Sequence, residues 1–373
     1  MVTRREFLGL WAAAICPNPF ETGRYVGVVP FLDADRNPPF HLLLDSGSGL
    51  DARLYTDLST LTADTLVTPN DRFFVRTSFP DQLDTTRPWS IEVTGLVRRP
   101  AKLSVGDLER LSKPAGPYVM ECAGNNDPRN YGLMSAASWS GAQVADIVDR
   151  LEPASGAKRV RISGFDGHSA RPESSLPGAS WVFTIDELTA AGALFATKMN
   201  GADLPRHHGW PVRLVVPGWY GCTCIKWVNE IALVGDDEPA TTQMREFAAR
   251  THQTGAPKVA REFTPARMDL AAMPVRIEKW LVGNRVAYRV VGIVWGGTRA
   301  PSRMRIRCHA SQPFVPLDIC PAPATPLTWG LWSYAWRPEA PGLYQIVLKP
   351  DDDTPSRRLD LYFYTRGVRI DEV

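Results

Sequence analysis

Several classes of protein are excluded by what the sequence lacks. Its 373 residues include six cysteines, which do not make a disulfide framework in a chain of this size. No Cys-x-x-Cys-His motif occurs, so covalently attached haem is not expected, and no iron–sulfur spacing is present. No Gly-x-Gly-x-x-Gly follows a predicted strand, so a nicotinamide or flavin fold is not supported. No apolar run is long enough to span a bilayer.

The composition is that of a soluble globular protein. Hydrophobic residues make up 44% of the chain and charged residues 22%. A net charge of +2 argues against a nucleic acid or a membrane surface as a partner held by bulk electrostatics. A chain of this length can hold two or three domains, each with a substantial core.

Two arginines near the N-terminus begin a pattern typical of an export signal. Thr3-Arg-Arg-Glu-Phe-Leu-Gly-Leu precedes the apolar segment Trp11-Ala-Ala-Ala-Ile, as in signals of the twin-arginine pathway, which exports folded proteins. We therefore expect residues 1–20 to be a signal segment and the protein to be periplasmic. The alternative is a basic, solvated N-terminus before a short helix. Residues 21–66 are broken by Pro and Gly and are predicted to form an extended arm that wraps the following domain.

The most informative motif of the sequence lies at residues 118–126. It reads Tyr-Val-Met-Glu-Cys-Ala-Gly-Asn-Asn, an apolar run that ends in small and polar residues. This pattern predicts a buried strand that leads into a tight loop, with Cys122 where the strand ends. The small residues after Cys122 leave room for a large group beside its thiol. A buried core cysteine is the alternative, since free Cys often behaves as a small hydrophobe.

A second stretch, from Met199 to Trp227, carries two longer motifs. They read Met-Asn-Gly-x-x-Leu-Pro-Arg-x-His-Gly-x-Pro-Val-Arg and Val-Val-Pro-Gly-x-x-Gly-x-x-x-x-Lys-Trp. With Glu-Cys-Ala-Gly-Asn, they resemble the sulfite oxidase family of molybdenum enzymes, from about Thr68 to the C-terminus. The resemblance implies a molybdopterin cofactor whose molybdenum takes one protein ligand, the thiolate of Cys122. Such a metal centre is soft, and a soft thiolate suits it.

The resemblance also implies which residues hold the cofactor. His208, Arg213 and Lys226 fall on family positions that bind molybdopterin, and Cys224 and Ile225 belong to the same motif as Lys226. Arg213 can offer a bidentate fork and Lys226 a point charge to the cofactor's phosphate. A salt-bridged surface is the alternative.

Two further positions are less sharply defined. Asp166 resembles a family carboxylate that accepts hydrogen bonds from the pterin. Cys222 and Cys224 form a Cys-x-Cys pair that could bind zinc or copper, but no accompanying ligands have zinc-site spacing, and loop packing is the favoured interpretation.

The substrate side departs from the family pattern. Arg76, in Phe-Phe-Val-Arg, matches an arginine beside the metal and would bind an anionic substrate. It could instead be a strand-end arginine that pairs with solvent or Asp71. Sulfite-oxidising members usually follow Cys-Ala-Gly-Asn with two arginines, whereas here Arg129 is the available substitute. Phe247 stands near the usual active-site tyrosine and lacks its hydroxyl.

The fold expected for residues 67–235 is α+β, because short strands and helices alternate irregularly. Residues 236–267 are predicted to be a polar linker. Residues 268–373 are predicted to form an immunoglobulin-like β-sandwich, which the family uses for dimerisation, from short β-rich runs at 275–278, 286–291, 304–307, 344–348 and 359–364. In an exported chain Cys308 and Cys320 could form a disulfide.

The function that these observations favour is oxidation of sulfite or a related small sulfur compound, with water as the oxygen source. Electrons would pass to an external acceptor such as a c-type cytochrome. One alternative is a reductase of S-oxides or N-oxides on the same scaffold. Another is a non-catalytic β-sandwich protein of assembly or adhesion.

Overall fold

The computed structural model describes residues 18–33, 52–77, 86, 88–125, 132–164, 179–301, 303–350 and 365–373. The strands in chain order are β1 (Arg24–Val29), β2 (Ala52–Leu54), β3 (Val75–Thr77), β4 (Ser90–Gly95), β5 (Ala101–Ser104), β6 (Lys113–Glu121), β7 (Met134–Gln143), β8 (Arg159–Gly164), β9 (Ser180–Thr184), β10 (Leu194–Met199), β11 (Ala202–Asp203), β12 (Arg213–Val215), β13 (Val228–Val234), β14 (Ala271–Val282), β15 (Arg285–Trp295), β16 (Met304–Arg307), β17 (Val315–Leu317), β18 (Gly330–Trp336), β19 (Gly342–Pro350) and β20 (Thr365–Ile370). The α-helices in these ranges are α1 (Val105–Glu109), α2 (Val144–Arg150), α3 (Ile185–Ala191) and α4 (Thr242–Glu246). The described chain is therefore mostly sheet, with few and short helices.

Two five-stranded sheets form the first half of the chain. One has the order β11-β10-β7-β6, with β12 also paired to β10. The other has the order β5-β4-β13-β8-β9, in which β13 and β4 run parallel and the remaining pairs are antiparallel. Strands thus dominate a region that was expected to mix strands and helices more evenly.

Capping residues explain where two of the helices begin. Ser104 and Asp107 form a capping box at the start of α1, and Thr184 and Glu187 form another at the start of α3. In each box the side chain of the first residue accepts the backbone N–H of the second, and the side chain of the second accepts the backbone N–H of the first.

One helix is shorter than its sequence pattern predicts. The spacing of apolar residues from Trp139 to Leu151 predicts a helix, but residues up to Gln143 belong to β7 and only Val144–Arg150 is helical. A Cβ at Gly141 would lie 2.1 Å from the carbonyl oxygen of Phe195 in β10, so a glycine is needed at this close strand contact. Pairing on both sides of β7 overrides the helical periodicity.

The C-terminal half contains two four-stranded antiparallel sheets. Their orders are β1-β14-β15-β18 and β17-β16-β19-β20. The runs predicted at 275–278, 286–291, 304–307 and 344–348 fall within β14, β15, β16 and β19. The run at 359–364 lies outside the described residues.

The first strand of the chain belongs to this C-terminal half. β1 pairs with β14, with Val29 opposite Ile277, and Phe31 bridges to Val368 in β20. The predicted arm therefore reaches past the next domain and completes a distant sheet. Tyr25, Val26 and Val28 are exposed, and β1 lies at the edge of its sheet.

The segment predicted to be a linker is packed rather than extended. It includes α4, and Met244, Ala248 and Phe263 contribute to the hydrophobic core. Buried apolar side chains explain why this segment adopts a fixed path.

Cys308 and Cys320, which could pair in an exported chain, do not pair with each other. Cys308 is a free, buried thiol, whereas Cys320 takes part in a disulfide bond. Cys308 directly follows β16, while the N–H of Cys320 donates to the carbonyl oxygen of Leu331 in β18, so the two residues are attached to different sheets.

The two halves share one continuous hydrophobic core. The indole of Trp329 donates to the carbonyl oxygen of Leu66 over 2.9 Å, and the N–H of Val119 in β6 donates to Leu327 over 2.8 Å. These contacts place the C-terminal sheets directly behind the strand that leads to Cys122. No helix in the described ranges is long and apolar enough to cross a membrane.

Candidate active site

Cys122 lies immediately after β6, as the sequence predicts. The residue as a whole is half-buried, and its sulfur accepts the N–H of Gly124 over 3.3 Å. Burial raises the pKa of this thiol; the Gly124 N–H, Arg76 and Arg250 lower it, while Glu121 adds to the rise. Because the thiolate is the form that binds metal, a bound metal ion would have to offset the effect of burial.

Arg76 reaches the Cys122 region from β3. Phe73 and Phe74 just before it are buried, and the N–H of Phe74 donates to the hydroxyl of Ser135 in β7 over 2.8 Å. This bond fixes the start of β3 against the strand that runs beside β6. The structure thus brings Arg76 and Cys122 together, although they come from separate segments.

Arg250 is a second cation beside Cys122, and sequence reasoning missed it. It lies in the short 3₁₀ helix Ala249–Thr251, and a Cβ added to Gly124 would lie 3.2 Å from its Nη1. The ring of Phe247 supports the guanidinium at 5.4 Å, a cation–π distance. The sequence indicates only Phe247 in this region, three residues before Arg250, as a residue near the substrate.

The predicted cofactor residues His208, Arg213 and Lys226 lie around Gly209. Gly209 has a φ of +107°, and a Cβ there would lie 3.0 Å from Cβ of Arg213 and 3.1 Å from Cβ of Lys226. A residue without a side chain is therefore required for these segments to approach each other. Nζ of Lys226 donates to the carbonyl oxygen of His207 over 2.9 Å.

Arg213 is a buried cation whose partners are all neutral. Its exposed fraction is 2%, and it donates to the carbonyl oxygens of His208 and Cys224 and to the sulfur of Met120. Its guanidinium carbon also lies 5.2 Å from the ring centre of Trp139. Among the described residues, no carboxylate forms an ion pair with it. Burial lowers the pKa of Arg213 to about 10, so it remains charged at neutral pH.

Within the described part of the chain, three buried polar atoms of this cluster have no hydrogen-bond partner. They are Nε of Arg213, Nδ1 of His208 and Nε1 of Trp139. Buried polar atoms are almost always satisfied, so atoms left without a partner point to a missing group. A large polar molecule with an anionic end, as molybdopterin is, fits this set of a cation, an indole N–H and an imidazole nitrogen.

His208 is held in its neutral form. Burial lowers its pKa well below the usual value, and His207, Lys226 and Arg213 lower it further. Its Nε2 lies 3.1 Å from the carbonyl oxygen of Asn70, which can only accept, so Nε2 carries the proton and Nδ1 is an acceptor.

Asn70 and Asn200 hold this part of the site in place and were not singled out from the sequence. Nδ2 of Asn200 donates to the carbonyl oxygen of Thr68 and to Oδ1 of Asn70, and its own Oδ1 accepts the N–H of Ser138. Asn200 of the Met-Asn-Gly motif therefore holds the loop from Thr68 to Asn70 in place. The carbonyl oxygen of Asn70 in turn orients the ring of His208.

The other motif residues of the second stretch act through the backbone. Cys224 offers its carbonyl oxygen to Arg213, while its sulfur accepts the N–H of Val216 over 3.4 Å. Ile225 is buried, and its carbonyl oxygen accepts the N–H of Leu214. No group of three or more His, Cys, Asp or Glu side chains that could hold a metal ion occurs in the ranges that the structure covers. Arg129 and Asp166 lie outside the described residues.

Comparisons with known proteins show what the chain is similar to. Residues 77–242 match the family described as oxidoreductase molybdopterin binding domain. The sulfite oxidase of Gallus gallus is 28% identical over 317 residues, which cover 79% of this chain and 68% of that protein. The NADPH nitrate reductase of Aspergillus niger is 30% identical over 226 residues, which cover 56% of this chain and 23% of that protein.

A solved structure shares the fold along almost the whole chain. The sulfane dehydrogenase SoxCD from Paracoccus pantotrophus aligns with a TM-score of 0.65 at 16% identity, covering 96% of this chain and 93% of that one. The matched part of this chain corresponds to about two thirds of the sulfite oxidase and about a quarter of the nitrate reductase. The chain contains an oxidoreductase molybdopterin-binding domain, is similar to sulfite oxidases, and is an oxidoreductase that uses a molybdenum cofactor.

Proposed function

We propose that this enzyme is exported and oxidises sulfite or a related small sulfur compound, passing electrons to an external acceptor such as a c-type cytochrome. The observation that carries the proposal is the placement of two arginines, Arg76 and Arg250, where both lower the pKa of the Cys122 thiol. Two cations at one thiol make a site for a small anion. The names of the relatives, sulfite oxidase and sulfane dehydrogenase, support sulfur chemistry.

The residues of the chain have separate tasks in this proposal. When bound, the cofactor supplies two-electron redox chemistry and exchange of an oxygen atom derived from water. Cys122 would ligate the metal, while His208, Arg213 and Lys226 would hold the organic part of the cofactor. The backbone of Cys224 and Ile225 keeps Arg213 and Leu214 in position.

Arg76 and Arg250 would bind and orient the anionic substrate. Arg76 is partly buried and approaches from β3, whereas Arg250 is exposed. The phenyl ring of Phe247 holds the Arg250 guanidinium but offers no hydrogen bond to a substrate. Substrate recognition therefore depends on charge more than on neutral hydrogen bonds.

Export and assembly complete the proposal. The twin-arginine pattern at Arg4 and Arg5 supports export of the folded protein to the periplasm. The two antiparallel four-stranded sheets of the C-terminal half suit an immunoglobulin-like sandwich that dimerises the enzyme. Analytical ultracentrifugation of the purified protein tests the dimer, and fractionation of cells that express the full chain tests the location.

The deciding experiment compares the two directions of reaction. Protein purified from a host that makes molybdopterin is assayed with sulfite and oxidised cytochrome c, and separately with a sulfoxide and a reduced viologen dye. Sulfite-dependent reduction of the cytochrome supports the proposal. Reduction of the sulfoxide without any oxidation of sulfite would overturn it in favour of an S-oxide reductase.

A pair of variants tests the role of Arg250. Arg250→Met should raise KM for sulfite about two- to five-fold at low ionic strength, because an exposed charge contributes modestly and is screened by salt. Arg245→Met is the matched control, since Arg245 is also exposed and belongs to the adjacent helix α4. Equal effects of the two variants would show that only overall charge matters.

A further inference from the structure

Glu121 is a buried carboxylate immediately before Cys122. It is the last residue of β6, and its exposed fraction is 0%. A carboxylate in such a place is costly unless its oxygens are hydrogen-bonded. Its surroundings therefore show what the fold uses it for.

Each oxygen of this carboxylate accepts a hydrogen bond from a different part of the chain. Nδ2 of Asn125, in the loop after Cys122, donates to Oε1 over 3.1 Å. The indole N–H of Trp295, at the end of β15, donates to Oε2 over 2.9 Å. Trp295 is also fully buried, and it belongs to a C-terminal sheet.

The chemistry of the two donors requires an acceptor at both oxygens. An indole has only a donor, and the amide of Asn125 is fixed because its Oδ1 accepts the N–H of Leu133 over 3.2 Å. Glutamine at position 121 would offer one acceptor and would turn its own N–H group toward the other donor. Glutamate is the side chain that satisfies both.

The same bonds hold both ends of the loop that starts at Cys122. The N–H of Cys122 donates to the carbonyl oxygen of Leu133 over 2.9 Å, and Leu133 in turn donates to Asn125. Glu121, Cys122, Asn125 and Leu133 thus form a closed set of contacts around the thiol. Trp295 ties this set to the C-terminal sheet.

We propose that Glu121 is a positioning residue, which uses Trp295 to fix the Cys122 loop against the C-terminal sheet and so sets the direction of the metal-binding sulfur. Partners behind a metal ligand commonly determine how firmly the metal is held. The inference rests on Cys122 being the metal ligand, as in the proposed function. The molybdenum content of the wild-type protein tests that assumption separately.

The test uses holoprotein of the wild type and of Glu121→Gln, Trp295→Phe and Trp332→Phe. Trp332 is the matched control, because it is equally buried in the neighbouring strand β18 and its indole donates to the carbonyl oxygen of Ile293, away from Glu121. Two properties are measured: the rate of molybdenum release on mild heating, and the electron paramagnetic resonance spectrum of the partly reduced protein.

We expect Glu121→Gln and Trp295→Phe to release molybdenum roughly ten-fold faster than the wild type and to share an altered spectrum. Trp332→Phe should lower thermal stability yet keep the wild-type release rate and spectrum. The double variant Glu121→Gln/Trp295→Phe should release molybdenum no faster than Glu121→Gln, since both changes break the same contact, the one between Glu121 and the indole of Trp295.

Several results would overturn the proposal. One is a Trp295→Phe variant that releases molybdenum at the wild-type rate and keeps the wild-type spectrum. Another is a Trp332→Phe variant that changes both properties as much as Trp295→Phe does. A third is a double variant whose release rate is the product of the two single effects. If Glu121→Gln fails to fold, the comparison of Trp295→Phe with Trp332→Phe still decides the question. If the wild type lacked molybdenum, the proposed function would be overturned, and with it the role of Glu121 behind a metal ligand.

Discussion

Arg213 donates from Nη2 to the sulfur of Met120 over 3.1 Å, which joins the cofactor cluster to the strand that carries Cys122. A thioether is a weak acceptor for a guanidinium, and the other partners of Arg213 among the described residues are two backbone carbonyls. A buried cation among neutral partners is costly on its own. The arrangement suits a protein whose anionic partner arrives with the cofactor.

Arg213→Met should therefore fold but lose cofactor. A charge-assisted hydrogen bond contributes about 1.5–3 kcal/mol, so we expect roughly ten- to hundred-fold weaker retention of molybdopterin. The measurement is pterin fluorescence and molybdenum content of purified protein, with thermal unfolding of the cofactor-free form. Arg213→Lys keeps the charge without the fork and should be intermediate. Full cofactor content in Arg213→Met would contradict the role.

Cys122→Ser should remove molybdenum from a folded protein. A hydroxyl is a harder and far less acidic ligand than a thiol, and it does not suit a soft metal centre. Cys222→Ser is the control, because Cys222 lies in the adjacent loop and burial raises the pKa of its thiol well above the ordinary value. Metal analysis of both variants decides the matter: molybdenum loss in Cys222→Ser but not in Cys122→Ser would exchange the two assignments.

Gly124→Ala should weaken substrate binding without unfolding the enzyme. The new Cβ would lie 3.2 Å from Nη1 of Arg250 and 3.6 Å from the sulfur of Cys122, and the guanidinium, at the end of a flexible side chain, can move away. We expect a several-fold rise in KM for sulfite, in the direction of Arg250→Met, with an unchanged melting temperature. Gly116→Ala, with its nearest atom at 3.7 Å, should change neither quantity. A fall in kcat with unchanged KM would show that the metal ligand was disturbed instead.

Much of the site could be predicted because its signals are local. The apolar run before Cys122 and the small residues after it predict a strand that ends at the thiol, and β6 ends at Glu121. The motif spacing from His208 to Lys226 predicts one cluster, and Gly209 shows physically why a glycine belongs there. Caps at Ser104 and Thr184 predict the starts of two helices.

The rest depends on contacts between distant segments, which leave no local pattern. Nothing near Gly124 indicates that Arg250 lies against it, and nothing near Glu121 indicates Trp295. The helix predicted from Trp139 begins only at Val144 for the same reason, since neighbouring strands decided the structure of residues 139–143. Sequence periodicity describes one segment, whereas sheet pairing depends on two.

Gly209→Ala and Gly201→Ala together separate backbone strain from crowding in the cofactor cluster. Both glycines have positive φ, +107° and +80°, so alanine at either position costs about 1–2 kcal/mol of unfolding free energy. A Cβ at Gly201 meets nothing within 4 Å, whereas one at Gly209 would crowd Arg213 and Lys226. Overpacking adds about 1–3 kcal/mol, so Gly209→Ala should be the less stable variant by that amount.

The same two variants should also differ in how they hold the cofactor. Moving Arg213 away from Lys226 spreads the cations that would hold an anionic group, so Gly209→Ala should retain less molybdopterin, while Gly201→Ala should retain the wild-type amount. Urea unfolding of the cofactor-free proteins gives the stability difference, and pterin fluorescence gives the retention. Equal stability and equal retention in the two variants would mean that the close approach at Gly209 does not shape the site.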